Sequence, residues 1–283
     1  MGPGSGRRLL RGSAVTVHSI TDRRVLVVGA SAGIGRAFAA QAIAEGAAVV
    51  AVARRGDRLS ELAESNRFTP VAMDVTRAPD IERLVEVLAA LGTFDLVLFS
   101  AGSAPLRHVA HTTAEDWDAV MRVNVIAFNT VVRAILPHLS PSAVVAALSS
   151  ETVDQPRQAL TAYGASKAAL EASIRGWRLE HPGRRFTCIR VGATQPTEFG
   201  DAFDGEVLGP VLGQWVTHGL LQEAFMDTTH VAAVLLDTLA VLVDHPGVAM
   251  EDLVLRSPSA VVGSAEPAIS GVQEASGAPD RSG

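Results

Sequence analysis

The sequence predicts one α/β domain built on an open, doubly wound parallel sheet of about seven strands with helices on both faces. Three observations predict it. Short apolar runs alternate with longer stretches of helical periodicity between residues 25 and 255. Those runs are continuously hydrophobic, as in strands covered on both faces. A chain of 283 residues, 48% hydrophobic and 19% charged, can bury a large core, which excludes global disorder.

The elements follow in order. Residues 25–28 are a buried-type strand, and 34–45 have helical periodicity. A second strand spans 49–53 and a second helix 57–64. A third strand spans 70–73, and a third helix 79–91, with Pro79 suited to its first turn. A fourth strand, 95–99, precedes a long helical stretch, 114–139, with Pro137 near its end. A fifth strand, 143–148, leads to a long helix at 160–180 and a sixth strand at 186–191. Residues 229–243 are helical and 253–255 form a short last strand. The folded domain is expected over 21–258. Residues 1–20 read as a flexible leader, and the Ser-, Pro-, Gly- and Ala-rich 259–283 as a flexible tail.

Charge and composition narrow the function. Lys and Arg number 24 against 30 Asp and Glu, for a net charge of −6. With no long basic run, a nucleic-acid partner is not expected. One cysteine, Cys188, excludes a disulfide framework and a multi-thiolate zinc site and fits a reducing cytoplasm. Its place in a strand reads as an inert core position. The apolar stretch 231–243 is about half of the roughly 20 residues a membrane span needs and contains Asp237. Residues 1–20 lack the apolar segment of a secretory signal. No membrane partner is therefore expected. His108 and His111 have a helical ligand spacing, but they follow Pro105 in a loop without a third ligand, so no metal is predicted.

Between the first strand and first helix lies Gly29-Ala30-Ser31-Ala32-Gly33-Ile34-Gly35, a GxxxGxG spacing. Glycines allow a tight turn and close approach of the backbone to a ligand. The helix that follows offers free N–H groups and its positive dipole end to a pyrophosphate. We assign Gly29, Ser31, Ala32, Gly33, Ile34 and Gly35 to cofactor binding on a Rossmann-type sheet. The second strand should end at the adenosine ribose. There it carries Arg54 and Arg55 and no carboxylate, which suits the 2′-phosphate of NADP(H), with NAD(H) the alternative. Asp74, before Val75, can bond an adenine amino group or cap its own turn.

Of the 24 Lys and Arg residues, one is lysine, Lys167, and it stands four positions after the only tyrosine, Tyr163. On a helix the two share one face, about 6 Å apart along the axis. A phenol with a pKa near 10 needs nearby positive charge to work near neutral pH, and Lys167 can supply it. Ser149 and Ser150 close the fifth strand, at the rim where open α/β sheets bind ligands. Asn124, amid apolar neighbours on the long helix, can satisfy backbone groups or a water.

Together these motifs resemble the short-chain dehydrogenase/reductase family over residues 21–256. The resemblance rests on Gly29 to Gly35, Asp74-Val75, Ser100-Ala101-Gly102, and then Asn124, Ser150, Tyr163 and Lys167 in order at the family's spacings. It implies an oxidoreductase that interconverts a carbonyl and an alcohol with a nicotinamide cofactor. By that resemblance Tyr163 is the general acid/base and Ser150 orients the carbonyl. Lys167 binds the nicotinamide ribose and lowers the tyrosine pKa, and Asn124 holds a proton-relay water. It also brings Val75, Ser100, Ala101, Gly102, Thr194 and Thr197 to the cofactor. The chain departs from the family pattern at Val28, at Phe99-Ser100, and at Gly192 to Pro196. A dinucleotide-sensing protein without catalysis is the rival from another class; such proteins commonly lack the Tyr or the Lys.

In the resembling family the stretch 199–226 is a mobile lid. Its Phe199, Phe203, Trp215, Leu220, Leu221, Phe225 and Met226 suggest a partly hydrophobic small-molecule substrate. Glu198 and Asp201 speak against an anionic one, and Val153, Gln155 and Arg157 are candidate pocket residues. The helices at 114–139 and 160–181 are expected to pack across a twofold axis in a homodimer or homotetramer.

Overall fold

The computed structural model describes residues 19–62, 67–201 and 203–262. Seven parallel strands form the sheet: β1 (Arg24–Val28), β2 (Ala48–Ala53), β3 (Phe68–Ala72), β4 (Phe94–Phe99), β5 (Leu139–Ser150), β6 (Arg185–Val191) and, last in the chain, β9 (Asp252–Leu255). Their order is β3-β2-β1-β4-β5-β6-β9. The chain works outward from β1 to β3, then returns to lay β4 on the other side of β1. That reversal opens a crevice at the carboxyl ends of β1 and β4. A separate two-stranded pair joins β7 (Thr194–Gln195) to β8 (Met226–Asp227).

Side chains along the five inner strands alternate between two buried faces. Val25 and Val27 pack with α1 (Gly33–Ala44) and α8 (Thr228–Asp244) around Phe38, Leu235 and Leu239. Leu26 and Val28 pack on the other face with α3 (Ala78–Leu91), α5 (Ala127–Ile135) and α6 (Thr161–Glu180) around Leu84, Phe128 and Ile174. Burial on both faces is why the strands read as unbroken apolar runs. Pro70 sits in β3, an edge strand, where its missing N–H costs no ladder bond.

Three features differ from the sequence expectation. The 114–139 helix is α4 (Ala114–Met121), a π turn at Arg122–Ile126, α5, and a short 3-10 turn at Leu136–His138. Among the described residues this stretch, rather than 231–243, is the one long and apolar enough to cross a membrane by length and composition, an 18-residue window of it having a mean hydropathy of 1.5. Here it lays Phe128, Val131, Val132 and Ile135 on the sheet. Second, the 199–226 stretch contains a helix, α7 (Gly205–Thr217), despite Gly209, Pro210 and Gly213. Asp204 caps it, accepting from the Glu206 N–H at 2.9 Å. Third, residues 259–262 of the expected tail are hydrogen-bonded to 221–224. The Glu223 N–H donates to the Ala260 carbonyl at 2.9 Å, and the Val262 N–H to Leu221 at 2.8 Å. The rest of that tail, the leader through residue 18 and the end of the expected 57–64 helix lie outside the described residues. Its beginning is α2 (Gly56–Ser60).

The turn after β1 is built on contacts that only glycine allows. Gly29 has φ +94°, and a Cβ there would stand 2.5 Å from the Ala101 backbone nitrogen. A Cβ on Gly35 would overlap the Ser100 hydroxyl and the Gly29 carbonyl. Replacing either by alanine is expected to lower unfolding free energy by about 2–3 kcal/mol, through overpacking and, at 29, a strained φ. Urea unfolding followed by circular dichroism checks this.

Candidate active site

One large cavity, about 880 Å³, opens at the carboxyl rim of the sheet above the β1–β4 crevice. Its adenosine-side end is formed by the glycine turn and the end of β2. Gly29, Ser31, Ala32, Gly33, Ile34 and Gly35 all line it, as do Arg54, Arg55, Asp74 and Val75. Ser100, Ala101 and Gly102 form its floor, and Thr194 and Thr197 its far wall. Ser150, Tyr163 and Lys167 line the inner end. Of the residues assigned to catalysis or to the cofactor in the sequence, Asn124 alone does not line it; of the candidate pocket residues Arg157 lines it, and Val153 and Gln155 do not.

Each side chain is held by its local chain. Ser31 accepts from the Arg55 guanidinium, with Nη2 at 2.9 Å, so the glycine turn and the end of β2 are tied together. Arg55 also pairs with Glu198 at 2.6 Å, and Arg58 pairs with the other Glu198 oxygen. Arg54 is exposed. One oxygen of Asp74 accepts from the Thr76 N–H and hydroxyl, at 2.9 and 2.7 Å, which is the turn-capping role. Burial works to raise its pKa, but these bonds together with Arg54 and Arg77 carry it below the usual range. Ser100 Oγ donates towards the Gly29 carbonyl at 3.1 Å, pinning the end of β4 to the turn.

At the inner end, Ser150 closes β5, and its Oγ accepts from the Thr152 N–H and hydroxyl at 3.2 and 3.0 Å. That leaves its own hydrogen to donate, and its pull on the Tyr163 phenol favours the charged form. Tyr163 and Lys167, both buried, are on α6, and the ammonium lies 5.7 Å from the phenol ring centre. Lys167 Nζ donates to the Leu148 carbonyl at 2.7 Å. Phe199 meets the Tyr163 ring edge-on at 5.0 Å.

Burial pushes the Tyr163 phenol up to about 12, against the opposing pull of Ser150 and Arg157. Burial also brings Lys167 down to about 8, against the opposing field of Cys188 and Glu171. The resemblance had Lys167 lowering the phenol; here the influences that lower it come from Ser150 and Arg157, and desolvation outweighs them. Cys188, in β6, is a buried thiol pushed up to about 12 by desolvation, in keeping with an inert core position.

Asn124 belongs to the π turn and is completely buried. Its amide donates to the Ser103 carbonyl (2.9 Å) and to Ser166 Oγ (2.8 Å), while its oxygen accepts from the Ser103 N–H (2.8 Å). Both amide hydrogens are thus committed to joining the chain after β4 to α6. His108 and His111 are exposed, and among the described residues no three metal-ligating side chains come together.

Two networks were not singled out from the sequence. Glu171, one turn beyond Lys167, accepts from Arg190 at 2.8 and 2.6 Å and from Ser149 at 2.6 Å. Its i,i+4 spacing from Lys167 was a readable signal. Glu151, directly after Ser150, pairs with both Arg157 and Arg256. No spacing rule points to that one.

A crevice at the switch point of a parallel sheet, a glycine turn at one end and a Ser-Tyr-Lys cluster at the other define a nucleotide-dependent oxidoreductase of the α/β class. The chain belongs to the short chain dehydrogenase family, whose pattern matches residues 23–206. It is similar to an uncharacterized oxidoreductase of Staphylococcus epidermidis, 32% identical over 195 residues, covering 64% of this chain and 84% of that one. It is also similar to a short-chain dehydrogenase/reductase of Cladobotryum, 30% identical, covering 63% and 71%. Among solved structures, an alcohol dehydrogenase of Thermococcus sibiricus complexed with 5-hydroxy-NADP shares the fold. Its TM-score is 0.70 at 23% identity, covering 83% of this chain and 97% of that one. A 3-ketoacyl-(acyl-carrier-protein) reductase of Brucella melitensis complexed with NADH does too, at 0.71 and 20%, covering 84% and 98%.

The two titrations set an expected pH profile. Lys167 loses its charge above pH about 8, while the phenol keeps its proton up to about 12. For carbonyl reduction, kcat/KM should be level below pH about 8 and fall tenfold per unit above it, measured by initial rates from pH 5 to 10.

Proposed function

We propose that this chain is an NADP(H)-dependent oxidoreductase that interconverts a carbonyl and an alcohol, with Tyr163 as general acid/base. The observation that carries this is the convergence of the Ser150 hydroxyl, the Tyr163 phenol and the Lys167 ammonium at the end of a cavity whose other end is a side-chain-free glycine turn. The lining suits an extended dinucleotide: Gly29 to Gly35 would cradle the pyrophosphate, and Lys167 would donate to a ribose hydroxyl. When bound, the nicotinamide supplies or accepts the hydride.

This chain's own residues do the rest. Ser150 donates to the substrate oxygen and fixes the carbonyl plane. Tyr163, protonated at neutral pH, gives its proton to that oxygen as the carbonyl is reduced and takes it back in oxidation. Lys167 stabilises the phenolate that results. The Asn124 amide keeps α6 in register with the chain after β4. Phe199, Leu160 and Trp215 exclude water from one side and suit a partly apolar substrate.

Arg54 and Arg55 support the phosphorylated cofactor, since no carboxylate occupies the end of β2. The pairing of Glu198 with Arg55 and Arg58 favours a second reading, NAD(H), because an anion already sits on those guanidiniums. We further infer a homodimer or homotetramer through α4–α5 and α6. Supporting it is an apolar groove beside α5 lined by Ile81, Val85 and the half-exposed Ile126. The buried, lone cysteine is in keeping with a cytoplasmic protein.

Tyr163→Phe should lower turnover by about 10²–10⁴-fold with nucleotide affinity unchanged within about threefold; wild-type rates in that variant would overturn the assignment. Titrating NADPH and NADH by fluorescence decides the cofactor. Arg54→Asp should weaken NADPH selectively, and the wild-type chain should prefer it. Light scattering should return twice or four times the 29.5 kDa chain mass.

A further inference from the structure

We propose that Arg157 anchors the substrate, and that the site takes a carbonyl compound, or the matching alcohol, bearing a carboxylate some distance from the reacting carbon. This rests on the oxidoreductase reading above and names its substrate class.

Arg157 lies in the turn between Ser150 and Tyr163 and lines the same cavity as both. Its side chain is only 11% exposed. Burying a guanidinium is costly unless its charge and donors are met, and here they are met only in part. The single Glu151 carboxylate is shared, one oxygen to Arg157 and the other to Arg256 at 3.1 Å. Arg256 is further held by the neutral Gln155. Two guanidiniums against one carboxylate leave this cluster with one positive charge in excess, beside the phenol. The donors tell the same story. Nη2 of Arg157 donates to Glu151 and to the Leu220 carbonyl, the latter at 2.8 Å. Nε is buried without a partner, and no hydrogen bond from Nη1 is formed among the described residues.

The guanidinium is also held in place. It stacks over Trp215 at 5.7 Å, and the indole N–H is itself tied to the Gln158 carbonyl at 3.1 Å. A fixed guanidinium can take a carboxylate at little further cost in side-chain entropy. The apolar surface of Phe199 and Leu160 in the same cavity suits a hydrocarbon or aromatic linker.

The acids that spoke against an anionic substrate in the sequence do not stand in the way. Glu198 is neutralised by Arg55 and Arg58, and Asp201 is exposed and outside the cavity lining. Glu115 and Asp118 line the cavity from α4 but are exposed to solvent.

The test uses 3-acetylbenzoate, 4-acetylbenzoate and 4-oxo-4-phenylbutanoate, each beside its methyl ester, with NADPH and NADH as reductants. The wild-type protein should show higher kcat/KM for at least one acid than for its ester. Arg157→Gln should reduce that acid-to-ester ratio at least tenfold, chiefly through KM, and Arg157→Lys should retain part of it. A residue that merely braces the turn would lower acid and ester alike. An unchanged ratio in Arg157→Gln, or a wild type that never favours an acid, overturns the proposal. Should Arg157→Gln fail to fold, the Arg157→Lys ratio against wild type decides. Should no ketone be turned over, the reaction reading has failed by itself. Calorimetric binding of the three acids to the nucleotide-loaded protein then judges Arg157: binding weakened at least tenfold in the variant sustains the proposal, and no binding to the wild type ends it.

Discussion

The active-site cavity depends on how closely the chain leaving β1 can approach the chain leaving β4. The two strands are neighbours in the sheet, yet their continuations must part to leave a crevice. At the point of parting they are pressed together. Ser100 reaches the Gly29 carbonyl, and neither Gly29 nor Gly35 has room for a side chain. This contact fixes the start of α1, and with it the direction in which the free N–H groups of that helix point. A bulkier turn would push α1 away from the rim and move those donors with it. The family's usual residues where β4 ends are replaced here by Phe99 and Ser100, and Ser100 makes the joining hydrogen bond.

Behind the cavity the constraint is electrostatic. Lys167 is a buried cation, and burial brings it down to about 8 even against the opposing charge nearby. Glu171 lies one helical turn away and supplies the opposing charge, but a second buried charge needs its own partners. Arg190 gives it two hydrogen bonds from β6, Ser149 gives a third from β5, and Asp154 takes the remaining guanidinium edge at 3.1 Å. The chain therefore runs from the reactive end of the cavity to the surface without an unmet charge. That completeness is what makes such a network stabilising rather than costly. It also couples the ends of β5 and β6 to α6, the three elements that carry Ser150, Arg190 and the Tyr–Lys pair.

What was legible in the sequence is what chemistry makes unusual. Burial on both faces writes itself as unbroken apolar runs, which made the five inner strands readable; the partly exposed edge strands β3 and β9 showed only as short apolar runs. A lone tyrosine and a lone lysine four residues apart, and glycines that no side chain can replace, mark the two ends of the cavity. The remainder depends on pairings distant in the chain. Glu151 meets Arg256 across more than a hundred residues, and nothing local to either announces it. The π turn at Arg122–Ile126 leaves the helical periodicity nearly intact, so Asn124 could be singled out but its burial away from the cavity lining could not. Helix α7 was hidden for the opposite reason: Gly209, Pro210 and Gly213 erase its period, and it forms because Val211 and Trp215 find an apolar surface beside Leu160 and Tyr163.

The same packing implies that the two ends of the cavity do not act independently. Three successive residues of the segment after β7 span it. The Thr197 side chain lies over Gly33, close enough that a Cβ there would touch it at 3.4 Å. Glu198 holds Arg55 and Arg58, and Phe199 rests against the Tyr163 ring. A nucleotide phosphate that competes for those guanidiniums must displace a carboxylate whose neighbour in the chain forms the wall of the substrate end. A displacement of Glu198 would therefore reach Phe199 through one short stretch of backbone, and any coupling so produced would by linkage have the same size in both directions.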